Sequence, residues 1–264
     1  MKKSQLKAIS GAMSFAVPLK TCLFFIFRKV FSSSWSYFAD NSTEAYRHAC
    51  LASIAAGGGN ALVALLSNGD PRAPVNLFED QWGGRPNMVK LAMVVQHAKA
   101  IRNAGGSFWP CFFCDDKESA QIRGAAVDAH RRALGLLVTH LRPYCPGFIL
   151  GIESSEYWTA AQHNPVYTHL KELAPDRYVG VHMQAIPKDG MPLCDFWAYE
   201  ASWDPNKGDA HTGAELVAEC QAAAKRSGKP IWPLEYNTNV TGARIKEQSR
   251  AALAAGFVGC GGPV

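Results

Sequence analysis

The chain has 264 residues, 48% of them hydrophobic and 19% charged, with 27 Lys+Arg against 22 Asp+Glu for a formal charge of +5. That apolar content is enough to bury a full core, which excludes a disordered, collagenous or coiled-coil chain. Five surplus charges on so large a chain make no nucleic-acid surface, and no run reaches the roughly 18 unbroken apolar residues of a membrane helix.

Residues 1–20 read as an amino-terminal extension. Lys2, Lys3 and Lys7 precede a mixed stretch that Ser10, Gly11, Ser14 and Pro18 interrupt, which resembles a secretory signal only loosely. The eight cysteines (22, 50, 111, 114, 145, 194, 220 and 260) are spread evenly rather than set out as a disulfide framework. In a chain of this length that pattern favours buried thiols in the cytoplasm, with export following only if the first segment acts as a signal.

From residue 21 to 264 the chain reads as one domain. Short runs rich in β-branched and aromatic residues predict strands at 22–27, 61–67, 107–113, 148–153, 178–183, 195–199, 230–235 and 257–260. Most are apolar throughout rather than alternating, as in a parallel sheet covered on both faces. Between them, Thr43-Glu44 opens a helix stopped by Gly57-Gly58-Gly59, and Asn87 opens one stopped by Gly105-Gly106. Ile122, Ala125, Ala126, Ala129, Ala133, Leu137 and Leu141 hold one helical face to Pro143. Thr212 caps a helix ending at Lys225-Arg226 and Gly228, and a fifth spans 242–255. Eight strands in a repeating strand-helix order predict an α/β fold, a single (β/α)8 barrel. Two departures are expected: residues 184–194, with Pro187, Gly190 and Pro192, carry no helical pattern, and no outer helix is legible after strand eight.

In such a barrel the functional side chains lie at the carboxyl ends of the strands. Those positions hold Asn68 and Asp70, Cys111 to Asp116, Glu153, Ser154, Ser155, Glu156, Tyr157 and Trp158, then His182, Tyr199 and Glu200, and finally Glu235, Tyr236 and Asn237. Carboxylates and aromatics dominate. Aromatic faces stack on sugar rings, and paired carboxyls perform acid/base and nucleophilic work on a glycosidic bond. Trp109, Trp158, Trp197 and Trp232 are candidate stacking walls; His182, Tyr199, Tyr236 and Asn237 are candidate partners of substrate or nucleophile. The lone Cys111-x-x-Cys114 lacks the second pair that zinc requires. The alternative of a metal hydrolase built on His182, Asp115 and Asp116 has too few strand-end histidines.

At these residues the chain resembles the clan A retaining glycoside hydrolases, the (β/α)8 superfamily that includes cellulases. The run Pro230-Ile231-Trp232-Pro233-Leu234-Glu235-Tyr236 is similar to the clan's strand-seven pattern, and the run from Gly151 to Trp158 is similar, less closely, to its strand-four pattern. The resemblance implies cleavage of a β-linked oligo- or polysaccharide by retaining double displacement, without cofactor or metal. It implies Glu235 as nucleophile and Glu156, or Glu153 if the strand ends earlier, as general acid/base. Ser155 stands where the clan carries Asn, a departure that leaves a non-catalytic carbohydrate-binding barrel as the alternative.

Overall fold

The computed structural model describes residues 30–33, 37–38, 42–56, 61–68, 75–80, 83–113, 126–151, 158–201, 212–235, 242–257 and 259–261. Eight parallel strands form one sheet: β1 (Val30–Ser33), β2 (Ala61–Leu65), β3 (Ser107–Phe113), β4 (Gly147–Gly151), β5 (Tyr178–Met183), β6 (Phe196–Glu200), β7 (Ile231–Glu235) and β8 (Gly259–Gly261). Their order is β8-β1-β2-β3-β4-β5-β6-β7, and the two end strands lie against each other, so the sheet curls round on itself. This is a (β/α)8 barrel. A two-residue antiparallel ladder, Ser67–Asn68 with Val75–Asn76, stands on the carboxyl end of β2.

Six helices wrap the described barrel: α1 (Glu44–Ala55), α2 (Met88–Asn103), α3 (Ala126–Leu141), α4 (Ala160–Leu173), α5 (Gly213–Ser227) and α6 (Gly242–Ala254). Their starts follow local chemistry. The side chain of Asn87 accepts from the amides of Val89 and Lys90, and Thr212 and Glu215 satisfy each other's backbone in a capping box at α5. Gly228, in the left-handed conformation at φ 66°, ends α5 where a side chain would be strained. None of the helices described is long and apolar enough to cross a membrane.

Two sequence expectations change. The strand expected at 22–27 lies outside the described residues, and the first barrel strand is Val30–Ser33 instead. Helix α4 is an addition to the elements legible in the sequence: Pro165 sits inside it, and its buried face of Ala160, Val166 and Leu170 includes His163. The connection from β5 to β6 is described throughout and contains no helix.

The apolar residues divide into two clusters. One fills the barrel: Ala61, Val63 and Leu65 of β2, Trp109 and Cys111 of β3, Ile149, Phe196, Ala198, Trp232 and Leu234. The other, much larger, lies between sheet and helices and takes the alternate residues, such as Leu62, Phe108, Phe148, Val179, Val181 and Trp197. Strand alternation therefore decides, residue by residue, which side chains face the interior and hence the mouth.

Candidate active site

The mouth is built from the last inward position of each strand. His182 of β5, Ala198 of β6 and Trp232 of β7 are consecutive register partners and form one row of the barrel wall. His182 has no exposed surface, and burial pushes its imidazole down to about 3, so it is neutral at physiological pH. Within the barrel Trp109 meets Trp232 of this row edge-to-face at 4.9 Å, with Phe196 at 5.8 Å from Trp109 and 5.2 Å from Trp232. These three rings plug the cylinder, so any ligand sits above them.

One step nearer the mouth, Glu200 and Glu235 are register partners at the ends of β6 and β7. Between this pair and the preceding one, Tyr199 with Pro233, the register shifts: β7 advances two residues while β6 advances one. Glu200 is half-buried and shares by alternation the inward face of Phe196 and Ala198. No local sequence pattern surrounds Glu200, so its pairing with Glu235 is visible only in the register between the two strands.

Several expected walls of the site are elsewhere. Trp109 and Trp232 are 0% and 1% exposed inside the plug, with Trp109 Nε1 donating to Ser107 Oγ at 3.2 Å, so neither ring offers a face to a sugar. Trp197 and Tyr199 occupy the outward positions of β6. Trp197 Nε1 donates to the Met183 carbonyl at 2.8 Å and Arg226 of α5 lies 5.6 Å over its ring. The Tyr199 hydroxyl donates to Glu219 Oε1 of α5 at 2.5 Å. Both bind the sheet to α5 rather than line the mouth. Trp158 is 6% exposed and packs between α3 and α4, stacked on His130 with centroids 5.0 Å apart. Glu153, Glu156, Tyr236 and Asn237 lie outside the described residues, and for Glu235 the backbone alone is described. Cys111 is buried within the barrel, Cys114 lies outside the described residues, and the described His, Cys, Asp and Glu form no group of three able to hold a metal.

No protein-family model matches the chain, and no curated protein matches it by sequence. Solved structures do match. A glycoside hydrolase family 5 enzyme from Prevotella bryantii B14, in complex with a xyloglucan tetradecasaccharide, aligns at TM-score 0.65 and 10% identity over 91% of this chain and 90% of that one. The endo-1,4-β-mannanase of Rhizomucor miehei aligns at 0.62 and 11% identity, covering 89% and 85%. The exo-β-1,4-mannosidase Op5Man5 of Opitutaceae bacterium strain TAV5 aligns at 0.62 and 14% identity over 88% of this chain, which spans 51% of that protein. The chain shares with these glycoside hydrolases the (β/α)8 fold.

Proposed function

We propose that the protein is a retaining glycoside hydrolase acting on a β-linked oligo- or polysaccharide. The reading is carried by one coincidence: a glutamate, Glu235, is the last residue of the seventh strand in a barrel whose fold recurs in carbohydrate-cleaving enzymes. The register shift beside it supports this. Trp232 and Leu234 both face the interior, so strict alternation would turn the next position outward. Bulges at barrel rims interrupt alternation and re-aim a side chain, and this one falls at the height of Glu235.

In the proposed mechanism Glu235 is ionised and attacks the anomeric carbon. A strand-four carboxylic acid, Glu156 or Glu153, protonates the departing oxygen and then, as the conjugate base, activates the water that releases the sugar. Retention requires the two carboxyl groups about 5–5.5 Å apart, and the acid must be held protonated by burial and by its anionic neighbour. Ser155, in place of an amide side chain, shortens the reach toward a sugar 2-hydroxyl, so part of that contact falls to water or to Asn237.

The test is hydrolysis of β-1,4-mannan, manno-oligosaccharides and xyloglucan, followed by reducing-end release and by the anomeric configuration of the first product. The unaltered protein is expected to release product initially of retained configuration, and Glu235→Gln to lower turnover at least about 10³-fold. Undiminished turnover, or an inverted product, overturns the assignment. Glycan binding without any cleavage by the unaltered protein identifies the binding-barrel alternative.

A further inference from the structure

Two histidines outside the mouth are buried in an unusual state. His130 of α3 is 0% exposed and His163 of α4 is 1% exposed, and none of their four ring nitrogens has a hydrogen-bond partner among the described residues. Buried polar groups are nearly always paired, so two neighbouring exceptions call for a reason. Their surroundings are aromatic. His130 lies flat against Phe113 of β3 at 3.6 Å between centroids, with 10° between planes. On its other side Trp158 stacks at 5.0 Å and 14°, and His163 meets Trp158 at 5.0 Å. Trp158 and His163 take the positions just before the cap and one turn into α4, whose cap is Thr159, so the pair is a staple fixing the angle at which the chain enters the helix.

We propose that His130, Trp158 and His163 form a proton-sensitive clasp between α3 and α4, positioning the chain two residues after Glu156 when both imidazoles are neutral and releasing it in acid. As to what is positioned, the inference rests on the glycosidase reading; the clasp itself does not. An apolar ring would fill either site without the cost of orphaned nitrogens. What histidine adds is a second charge state.

The sign follows from the surroundings. Burial holds His163 at about 4, and burial with repulsion from His163 holds His130 at about 3, against an ordinary value near 6.5. The described charge acting on His163 from another element is Asp189, in the β5–β6 connection, and it pulls the opposite way. Its carboxylate already accepts the amides of Ala160 at 2.9 Å and Ala161 at 3.0 Å, where α4 begins. The faces of Phe113 and Trp158 attract an imidazolium but cannot accept its N–H groups, so burial prevails. Released rings take up protons below about 6.5 while clasped rings do not, so the clasp is at full strength above that pH and weakens as pH falls from about 6.5 toward 4. At pH 5 each histidine shifts the closing equilibrium toward release about 30-fold.

The experiment compares the full-length wild type with H130F/H163L between pH 8 and 4.5. Near-ultraviolet circular dichroism reports the aromatic packing, and deuterium exchange of residues 160–163, corrected for intrinsic rate, reports the start of α4. The start of α5, which has the same kind of capping box without the histidines, is the internal control. Wild type is expected to lose near-ultraviolet signal below pH 6 with the far-ultraviolet signal kept, and to exchange at least tenfold faster at 160–163 at pH 5 than at pH 7.5. The double variant should hold both readouts to lower pH. If residues 160–163 of wild type open no more than the α5 control, the clasp is overturned, whether or not the variant folds. Where a cleaved glycan is found, the acid limb of the wild-type activity profile should follow the clasp and move to lower pH in the variant. An acid limb unmoved in a variant that has lost the exchange response would leave the clasp standing and overturn its role in positioning. Absence of any cleavage would count against the glycosidase reading alone.

Discussion

The barrel interior is packed tightly enough that adding one methyl group has calculable consequences, and three glycines form the test. At Gly147 in β4, a Cβ atom would lie 2.4 Å and 3.0 Å from Cζ3 and Cη2 of Trp109 and 2.5 Å from the carbonyl oxygen of Tyr178. Ordinary contact is near 3.5 Å or more, so ring and strand would each have to retreat by about 1 Å. Trp109 is held by Phe196 and Trp232, and Tyr178 is the register partner of Gly147 on the adjoining strand, so moving its carbonyl parts β4 from β5. Overpacking costs about 1–3 kcal/mol where only side chains yield, and Gly147→Ala belongs at or above the upper end. At Gly180 the Cβ would meet the Phe196 ring, at 2.3 Å, and no backbone atom among its three nearest neighbours, so Gly180→Ala should cost about 2 kcal/mol. Gly135, inside α3, has nothing within 4 Å, and alanine there should stabilise by about 0.5–1 kcal/mol through helix propensity. Urea unfolding at neutral pH measures the series, and adding Trp109→Phe to Gly147→Ala should recover about 1–2 kcal/mol by removing the outer ring atoms. Gly147→Ala within 0.5 kcal/mol of wild type, or Gly135→Ala as damaging as Gly147→Ala, would refute the packing argument.

Two neighbours on β6 separate mouth from scaffold. Glu200→Gln should lower glycan turnover at least about tenfold with little change in urea midpoint. Tyr199→Phe should do the reverse, losing about 1–2 kcal/mol with its bond to Glu219 and leaving turnover within twofold; the same pair of assays reads both, and exchanged outcomes would reverse the face assignment. Asp195→Ala, which strips the partners of Tyr167, Lys171 and the Val179 amide at once, should cost about 2–4 kcal/mol in urea unfolding, and a loss below 1 kcal/mol would mean water replaces the carboxylate.

Element order was legible because it is written locally. Asn87 and Thr212 announce helices with their own side chains, Gly228 closes one, and apolar runs such as 107–113 and 178–183 have no alternative but a covered strand. Side-chain direction was not. A strand buried on both faces has no polar alternation to mark its inner side, so Trp197 and Tyr199 read as well toward the mouth as Phe196 and Ala198 do. Only the neighbouring strands decide it, and that is tertiary information. Helix α4 was hidden for a related reason: its buried face contains a histidine that looks polar in sequence and is apolar in use. The register shift at Glu235 leaves no mark in the run Ile231 to Glu235, since it exists only relative to β6. The two glutamates expected on the strand-four side, Glu153 and Glu156, follow β4 in a segment outside the described residues.

The helix-free connection between β5 and β6 poses the last question: what replaces the covering helix. Cys194 joins the core and Ile186 and Met191 pack against it, and a set of directed polar contacts does the rest. Asp195, just before β6, accepts from the Tyr167 hydroxyl at 3.0 Å, Lys171 Nζ at 3.0 Å and the Val179 amide at 2.9 Å, joining α4 to β5 through one carboxylate. Asn164 accepts the amide of Leu193 at 2.8 Å, Asp189 takes the first two amides of α4, and Lys229 Nζ reaches the Cys194 carbonyl at 2.6 Å. Each contact has a direction and a length, whereas a packed helix face tolerates sliding. The connection thus ties α4 to the sheet along its length, and α4 in turn carries Trp158 and His163 at its amino end. Protonation of the two imidazoles is therefore expected to act at the entry to α4, while Tyr167 and Lys171 further along the helix stay held by Asp195.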